Sequence, residues 1–300
     1  MALVYWTSDG GGAEGGNAAR VMNQWIRTKG NPSLIVYGGD VYKSGTDDNF
    51  AKFFDQFGRD VSLVCETPGN HDWLTTKKIN GNKVPIGYEE FWTAHVSKQP
   101  IDAQKIAGAR YEHVIDLNGW RLIFLDTGLT KDDRPWPFGD DSRQTWLTNA
   151  VTSESGRSKI VFAHHSRLST GLHDDNIGVH AVWKSLFDTV TGAPRAALTL
   201  GGHDHNVSLY GPKSRDNVTG PNVPIAQGIR LLVNGAGGDS LYAEGDGTPP
   251  DEFDHTRFCV TRINLIDGRS ADVDILSFGV NPKPTTEPEV LANFAVKFRF

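Results

Sequence analysis

Several things are scarce in this 300-residue chain, and each scarcity excludes a class of protein. No apolar run approaches the roughly 20 residues that a membrane-spanning helix needs. Basic charge is also thin: Lys+Arg total 30 against 36 Asp+Glu, the net charge is -6, and the longest cationic cluster is Lys77-Lys78. A nucleic-acid surface needs a basic patch, so none is expected. Cysteines number only two, Cys65 and Cys259, and both sit in strand-like runs, which reads as two buried free thiols rather than a disulfide. Met1 leads almost directly into a strand-like run with no charged-then-apolar leader, so a soluble chain without membrane contact is expected; its location stays open, with the cytoplasm favoured. No internal repeat is evident. With 38% hydrophobic and 22% charged residues, the composition is that of an ordinary globular protein.

What is present is an alternation of apolar strands with helices. Ala2 to Trp6 reads as a buried strand, followed by a helix capped by Asn17 with Ala18, Val21, Met22, Trp25 and Ile26 on one face. Leu34 to Tyr37 is the second strand, then a helix aligning Phe50, Phe53, Phe54 and Phe57, then a third strand from Val61 to Cys65. Asn118-Gly119 between Tyr111–Leu117 and Arg121–Leu125 is a hairpin signal. A helix over Arg143 to Val151, a strand over Ile160 to Ala163 and a helix carrying Val179, Val182, Trp183, Leu186, Phe187 and Val190 follow. Further strands are expected at Ala197–Leu200, Arg230–Val233, Phe258–Leu265 and Ala271–Phe278. The pattern predicts an α/β fold, a two-sheet β-sandwich flanked by helices, over residues 1–280. Residues 281–300 read as a Pro-rich linker and a tail. Its alternating Phe294, Val296, Phe298 and Phe300 suit a strand added to a sheet edge or to a neighbouring copy.

Polar clusters follow five of the apolar runs: Asp9, Asp40, Asn70-His71, His164 and His203-Asp204-His205. Open α/β sheets bind ligands at the carboxyl ends of their strands, so parallel strands would deliver all five to one crevice. Two carboxylates, an amide and three imidazoles describe a site for two metal ions and metal-assisted hydrolysis. Gly38-Gly39 lets a cation approach Asp40, and Gly201-Gly202 removes bulk beside His203. Gly10 to Gly15 also satisfies the dinucleotide-binding pattern G-x-G-x-x-G, with Asp40 as the ribose acid. That reading sets Asp9 against the pyrophosphate and leaves the later His and Asn clusters without a role. The aromatic stretch from Trp73 to Trp136, with Trp92 and Trp136-Pro137-Phe138, reads as packing or as a lid over the crevice.

Together the motifs resemble the calcineurin-like metallophosphoesterase superfamily. They run Asp9-Gly10-Gly11, Gly39-Asp40, Gly69-Asn70-His71-Asp72, Val161-Phe162-Ala163-His164 and Gly202-His203-Asp204-His205, in the family's order. Gly11, where many members carry a His, is similar to the small purple acid phosphatase-like branch. That branch has a Tyr three residues after the second Asp, whereas here Tyr42 stands two after Asp40 and Lys43 takes the third place. His173, nine residues after His164, stands at the spacing of that branch's substrate-facing His, and it reads equally as a surface loop residue.

The resemblance implies an αββα metallophosphoesterase-type fold. It also implies one metal held by Asp9, Asp40 and His205, with Tyr42 as a further candidate, and a second held by Asp40, Asn70, His164 and His203. The ions would be Fe, Zn or Mn, with a bridging hydroxide attacking a small phosphate ester. His71 would act as the acid and His173 would bind phosphate. A phosphomonoesterase is favoured, a phosphodiesterase is the alternative, and a non-catalytic binding homologue is a third reading. His165, pointing away from His164 if the strand persists, is expected to be a buried supporting donor.

Overall fold

The computed structural model describes residues 1–10, 16–40, 46, 64–74, 76–80, 82–85, 111–128, 136, 141–154 and 156–297. The expected phenylalanine helix over Phe50 to Phe57, Tyr42 and Trp92 lie outside the described residues, as do Pro137-Phe138 and the end of the tail. Strands β1 (Ala2–Thr7), β2 (Leu34–Tyr37), β3 (Val64–Glu66), β13 (Cys259–Asp267), β14 (Ser270–Ser277) and β15 (Glu289–Lys297) form one sheet, in the order β15-β14-β13-β1-β2-β3. A second sheet runs β12-β10-β11-β9-β8-β7-β6. Its members are β6 (His113–Leu117), β7 (Trp120–Leu125), β8 (Ser158–Ala163), β9 (Leu198–Gly201), β10 (Val207–Lys213), β11 (Ile229–Asn234) and β12 (Glu252–Asp254). A hairpin of β4 (Thr76–Ile79) and β5 (Asn82–Pro85) stands apart.

Alternation within each strand builds four layers. Val4 and Trp6 of β1, Leu34 and Val36 of β2, and Phe124, Phe162 and Leu200 of the second sheet fill the space between the sheets. The intervening Tyr5, Ile35 and Tyr37 turn outward onto α1 (Gly16–Thr28) through Ala19, Met22 and Ile26. On the far side, Ile123, Leu125 and Val161 meet Trp146, Leu147 and Val151 of α2 (Asp141–Thr152). With both faces covered, such strands read as unbroken apolar runs, which is why the sequence revealed them.

β1, β2 and β3 pair in parallel, as do β7, β8, β9 and β11, so the carboxyl ends of β1, β2, β3, β8 and β9 gather at one edge. Asn118 (φ 49) and Gly119 (φ 83) turn the β6–β7 hairpin in the left-handed region, as the Asn-Gly signal requires. Residues 289–297 join the first sheet as its edge strand, from Ser277↔Glu289 to Ser270↔Lys297, with Val296 in the inter-sheet core.

Several local expectations need correction. Asn17 does not cap α1 but lies within it, bonded to Arg20 and to the Pro282 carbonyl. The helix expected through Val190 is a short α3 (His180–Ser185): Asp188 Oδ1 accepts the Val190 and Thr191 N–H groups in a tight turn, leaving Val190 exposed. β10 leaves no continuous apolar run because Gly211-Pro212 interrupts it, and the register shift between Tyr210 and Lys213 falls on that pair.

Candidate metal centre

At the gathered strand ends, three of the candidate ligands carry strained backbone: Asp9 (φ 57), Asp40 (φ 52) and His203 (φ 71) are left-handed non-glycine residues. Such conformations persist where the surroundings over-determine them, often at functional sites. Their neighbours explain how. A Cβ on Gly69 would collide with the Asp40 carboxylate, and one on Gly202 with Ser8 Oγ and Asp9. Only glycine allows these loops to close on each other.

Asp9, Asp40, His164 and His205 are each aimed by a hydrogen bond on the far side of the side chain. Asp9 Oδ2 accepts from Ser8 Oγ (2.6 Å) and from the His203 N–H (2.9 Å), leaving Oδ1 facing His205 Nε2 at 3.7 Å and His164 Nε2 at 3.9 Å. Asp40 Oδ1 accepts the His71 N–H at 2.9 Å, and Oδ2 lies 3.3 Å from His164 Nε2. The buried carboxylate of Asp72 holds this loop by accepting the Asp40 and Gly69 N–H groups (2.9 and 2.8 Å). His164 Nδ1 bonds the Gly38 carbonyl (2.7 Å) and His205 Nδ1 the Ser240 carbonyl (2.7 Å), which orients both Nε2 atoms inward.

Asp9 Oδ1 and Asn70 Oδ1 are buried without a hydrogen-bond partner. Buried acceptors are normally satisfied, and gaps of 3.7 to 3.9 Å between Asp9 Oδ1 and two imidazoles exceed a hydrogen bond. A cation held by Asp9 Oδ1 and those imidazoles would fit that pattern. Ligand atoms of Asp9, Asp40 and His164 lie within 4.8 Å of one another, as do those of His164, His165 and His203. The residues present therefore fit metal ions, with oxygen and imidazole donors and no thiolate.

His165 corrects an expectation. Strand β8 ends at Ala163, so alternation no longer governs the next two residues. The His165 N–H donates to Thr127 Oγ1 (3.0 Å) and Nδ1 lies 3.2 Å from the same oxygen, which swings the ring to 4.3 Å from His203, on the same side as His164. The His-His doublet was its only signal in the sequence. His173 stacks on His203 (centroids 4.0 Å) from an exposed loop, and its N–H donates to Asp204 Oδ1 (2.9 Å), so the middle residue of the His-x-His pair anchors that loop. His71 begins a 3-10 turn beside Asp40. Trp73 and Trp136 are buried, the packing alternative weighed for the aromatic stretch. Cys65 and Cys259 are buried free thiols.

The ionisation of the metal-free site follows from burial set against charge. Burial opposes the charged form of His164, yet Asp40 and Asp9 overcome it and raise its pKa to about 10. Burial likewise opposes Asp40 ionisation, but His164 and His71 hold it down at about 2. His165 is pushed down to about 3, by burial first and then by His164. A raised imidazole contributes stability below its ordinary 6.5 that is lost as pH climbs to about 10; a depressed one loses stability as pH falls from 6.5 towards about 3. Metal-free protein is thus expected to melt highest near neutral pH and lower on both sides. Melts in chelator across about pH 5 to 9 check this, and a flat profile would contradict the assignment.

The chain is thus an αββα sandwich with carboxylate, amide and imidazole side chains following its parallel strands. The sequence model of the calcineurin-like phosphoesterase family matches residues 5–207, and the chain belongs to that family. No curated protein matches the sequence significantly. Among solved structures, a purple acid phosphatase from yellow lupin (Lupinus luteus) seeds superposes with a TM-score of 0.71 at 16% identity, covering 99% of this chain and 53% of that one. The chain thus spans about half the length of the lupin protein. PhoD gives a TM-score of 0.68 at 10% identity, covering 99% of this chain and 69% of that one. GAP50, the anchor in the inner membrane complex of Plasmodium, gives 0.64 at 14% identity, covering 100% of this chain and 90% of that one.

Proposed function

We propose that this protein is a dinuclear metal-dependent phosphoric ester hydrolase that favours small phosphomonoesters. The observation carrying this reading is the unpartnered buried Asp9 Oδ1, which faces the Nε2 atoms of His164 and His205, with Asn70 Oδ1 a second buried oxygen lacking a partner. Asp9, Asp40 and His205 would hold one ion; Asp40, Asn70, His164 and His203 would hold the other, each Fe, Zn or Mn. Such cations supply Lewis acidity, activating water near neutral pH and offsetting charge that grows on the phosphoryl oxygens. The chain's own residues do the rest. His71, fixed beside Asp40 through its backbone N–H, donates a proton to the leaving oxygen. His173, exposed and stacked on His203, binds the outer phosphate oxygens. His165, turned by Thr127 to lie beside His203, adds a further imidazole at the site. A terminal phosphate has more oxygens for these imidazoles than a diester, which favours the monoester.

Metal analysis combined with rates on aryl mono- and diesters under Mn, Zn and Fe tests the reading, and a metal-loaded chain that turns over neither would sink it. Faster diester than monoester turnover would select the phosphodiesterase alternative. A non-catalytic metal- or phosphate-binding role is disfavoured because every ligand position of the motif set except that of Tyr42 is filled. His173→Ala is expected to raise KM about tenfold with kcat nearly unchanged, the loss of one hydrogen bond to a charged group. Steady-state kinetics on an aryl phosphate would show it.

A further inference from the structure

No motif marks the connection between β11 and β12, yet it embraces two of the ligand candidates. The Asp239 N–H donates to the Asp9 carbonyl (2.9 Å), His205 Nδ1 bonds the Ser240 carbonyl (2.7 Å), and the Tyr242 N–H donates to the His205 carbonyl (3.0 Å). The Tyr242 ring then lies flat on the His205 imidazole, with centroids 4.0 Å apart and planes 14° from parallel. It also meets His173 edge-on at 5.9 Å. Since His173 covers His203, each imidazole of the His-x-His pair carries a ring on its outer face.

A single Nδ1 hydrogen bond leaves an imidazole free to rock about its terminal torsion, which is a broad well. A flat ring against one face removes that freedom, and groups that orient a ligand from behind commonly govern metal affinity. We propose that Tyr242 is a positioning residue of this site: by stacking on His205 it keeps Nε2 directed at Asp9 Oδ1 and so at the first cation. The inference rests on the metal-centre reading above. It requires the ring and not the hydroxyl.

Two variants separate these parts. Tyr242→Phe keeps the aromatic face and Tyr242→Ala removes it. Competition with a chelator under Zn or Mn is expected to show tenfold or greater weakening of one of two bound ions in Tyr242→Ala, about the usual cost of losing an orienting group, with parental affinity in Tyr242→Phe. In metal-free protein, the His205 ring protons should move downfield in Tyr242→Ala as the ring current is lost, and stay in place in Tyr242→Phe. Circular dichroism confirms that each variant is folded. Parental affinity and parental His205 shifts in Tyr242→Ala would overturn the proposal, and so would equal losses in both variants, because the hydroxyl would then carry the effect. A parent chain that takes up no cation would overturn the function reading instead, while the His205 shifts still decide the ring contact.

Discussion

Replacing Asp40 by Ala, or by the isosteric Asn, is expected to leave a folded protein whose phosphate-ester hydrolysis falls by about 10^3-fold or more. Asp40 is the one carboxylate assigned to both ions, and its two oxygens already have separate tasks: Oδ1 accepts the His71 N–H and Oδ2 faces His164 Nε2. Asn can keep the first of these and the shape, yet it removes the negative charge that bound cations would require. Cations that stabilise transition-state charge are worth several kcal/mol, and about 4 kcal/mol corresponds to about 10^3 in rate. His203→Ala should match it in direction. Turnover on an aryl phosphate, measured with metal content and far-UV circular dichroism on the same samples, checks both. Undiminished turnover in metal-verified Asp40→Asn would remove Asp40 from the site.

Trp6→Ala is expected to destabilise the protein by about 3 to 5 kcal/mol, the range for truncating a large buried aromatic. Trp6 is fully buried between the sheets, stacks on Phe162 of the opposite sheet (5.6 Å), and its indole N–H bonds the Asn234 carbonyl (3.1 Å). Truncation leaves a cavity and removes that hydrogen bond together. Because Trp6 lies three residues before Asp9, its loss should also loosen cation binding. Trp6→Phe should recover most of the stability, since it restores the stack with Phe162 but not the hydrogen bond. Urea unfolding of the three proteins measures this; a cost below about 1 kcal/mol for Trp6→Ala would mean that the sheets do not pack through this residue.

The legible parts of this protein were those governed by local periodicity. Leu34–Tyr37 and Ile160–Ala163 could be read because strands buried on both faces leave continuous apolar runs, and Asp40 and His164 because a polar residue ending such a run falls at the sheet's carboxyl edge. Reading failed where a turn or an interruption outweighed the period. Asp188 ended a helix that the apolar spacing carried on to Val190, and Gly211-Pro212 hid β10. His165 departs from two-residue alternation because β8 ends at Ala163 and Thr127 then turns its ring. Tyr242 had no signal at all, since its ties to His205 are a backbone hydrogen bond and a ring stack.

From its residue order alone, this chain determined its layered class, the strands that make it, and the identity and sequence of the groups that collect at one edge. Tertiary structure alone decided which atoms of those groups face one another. His164 is aimed by Gly38, Asp9 is held by His203, and His165 is turned by Thr127, partners 126, 194 and 38 positions away in the chain. The direction of a side chain beyond a strand's end is set by the hydrogen bonds its loop finds, and those exist only once the two sheets have closed on their common core.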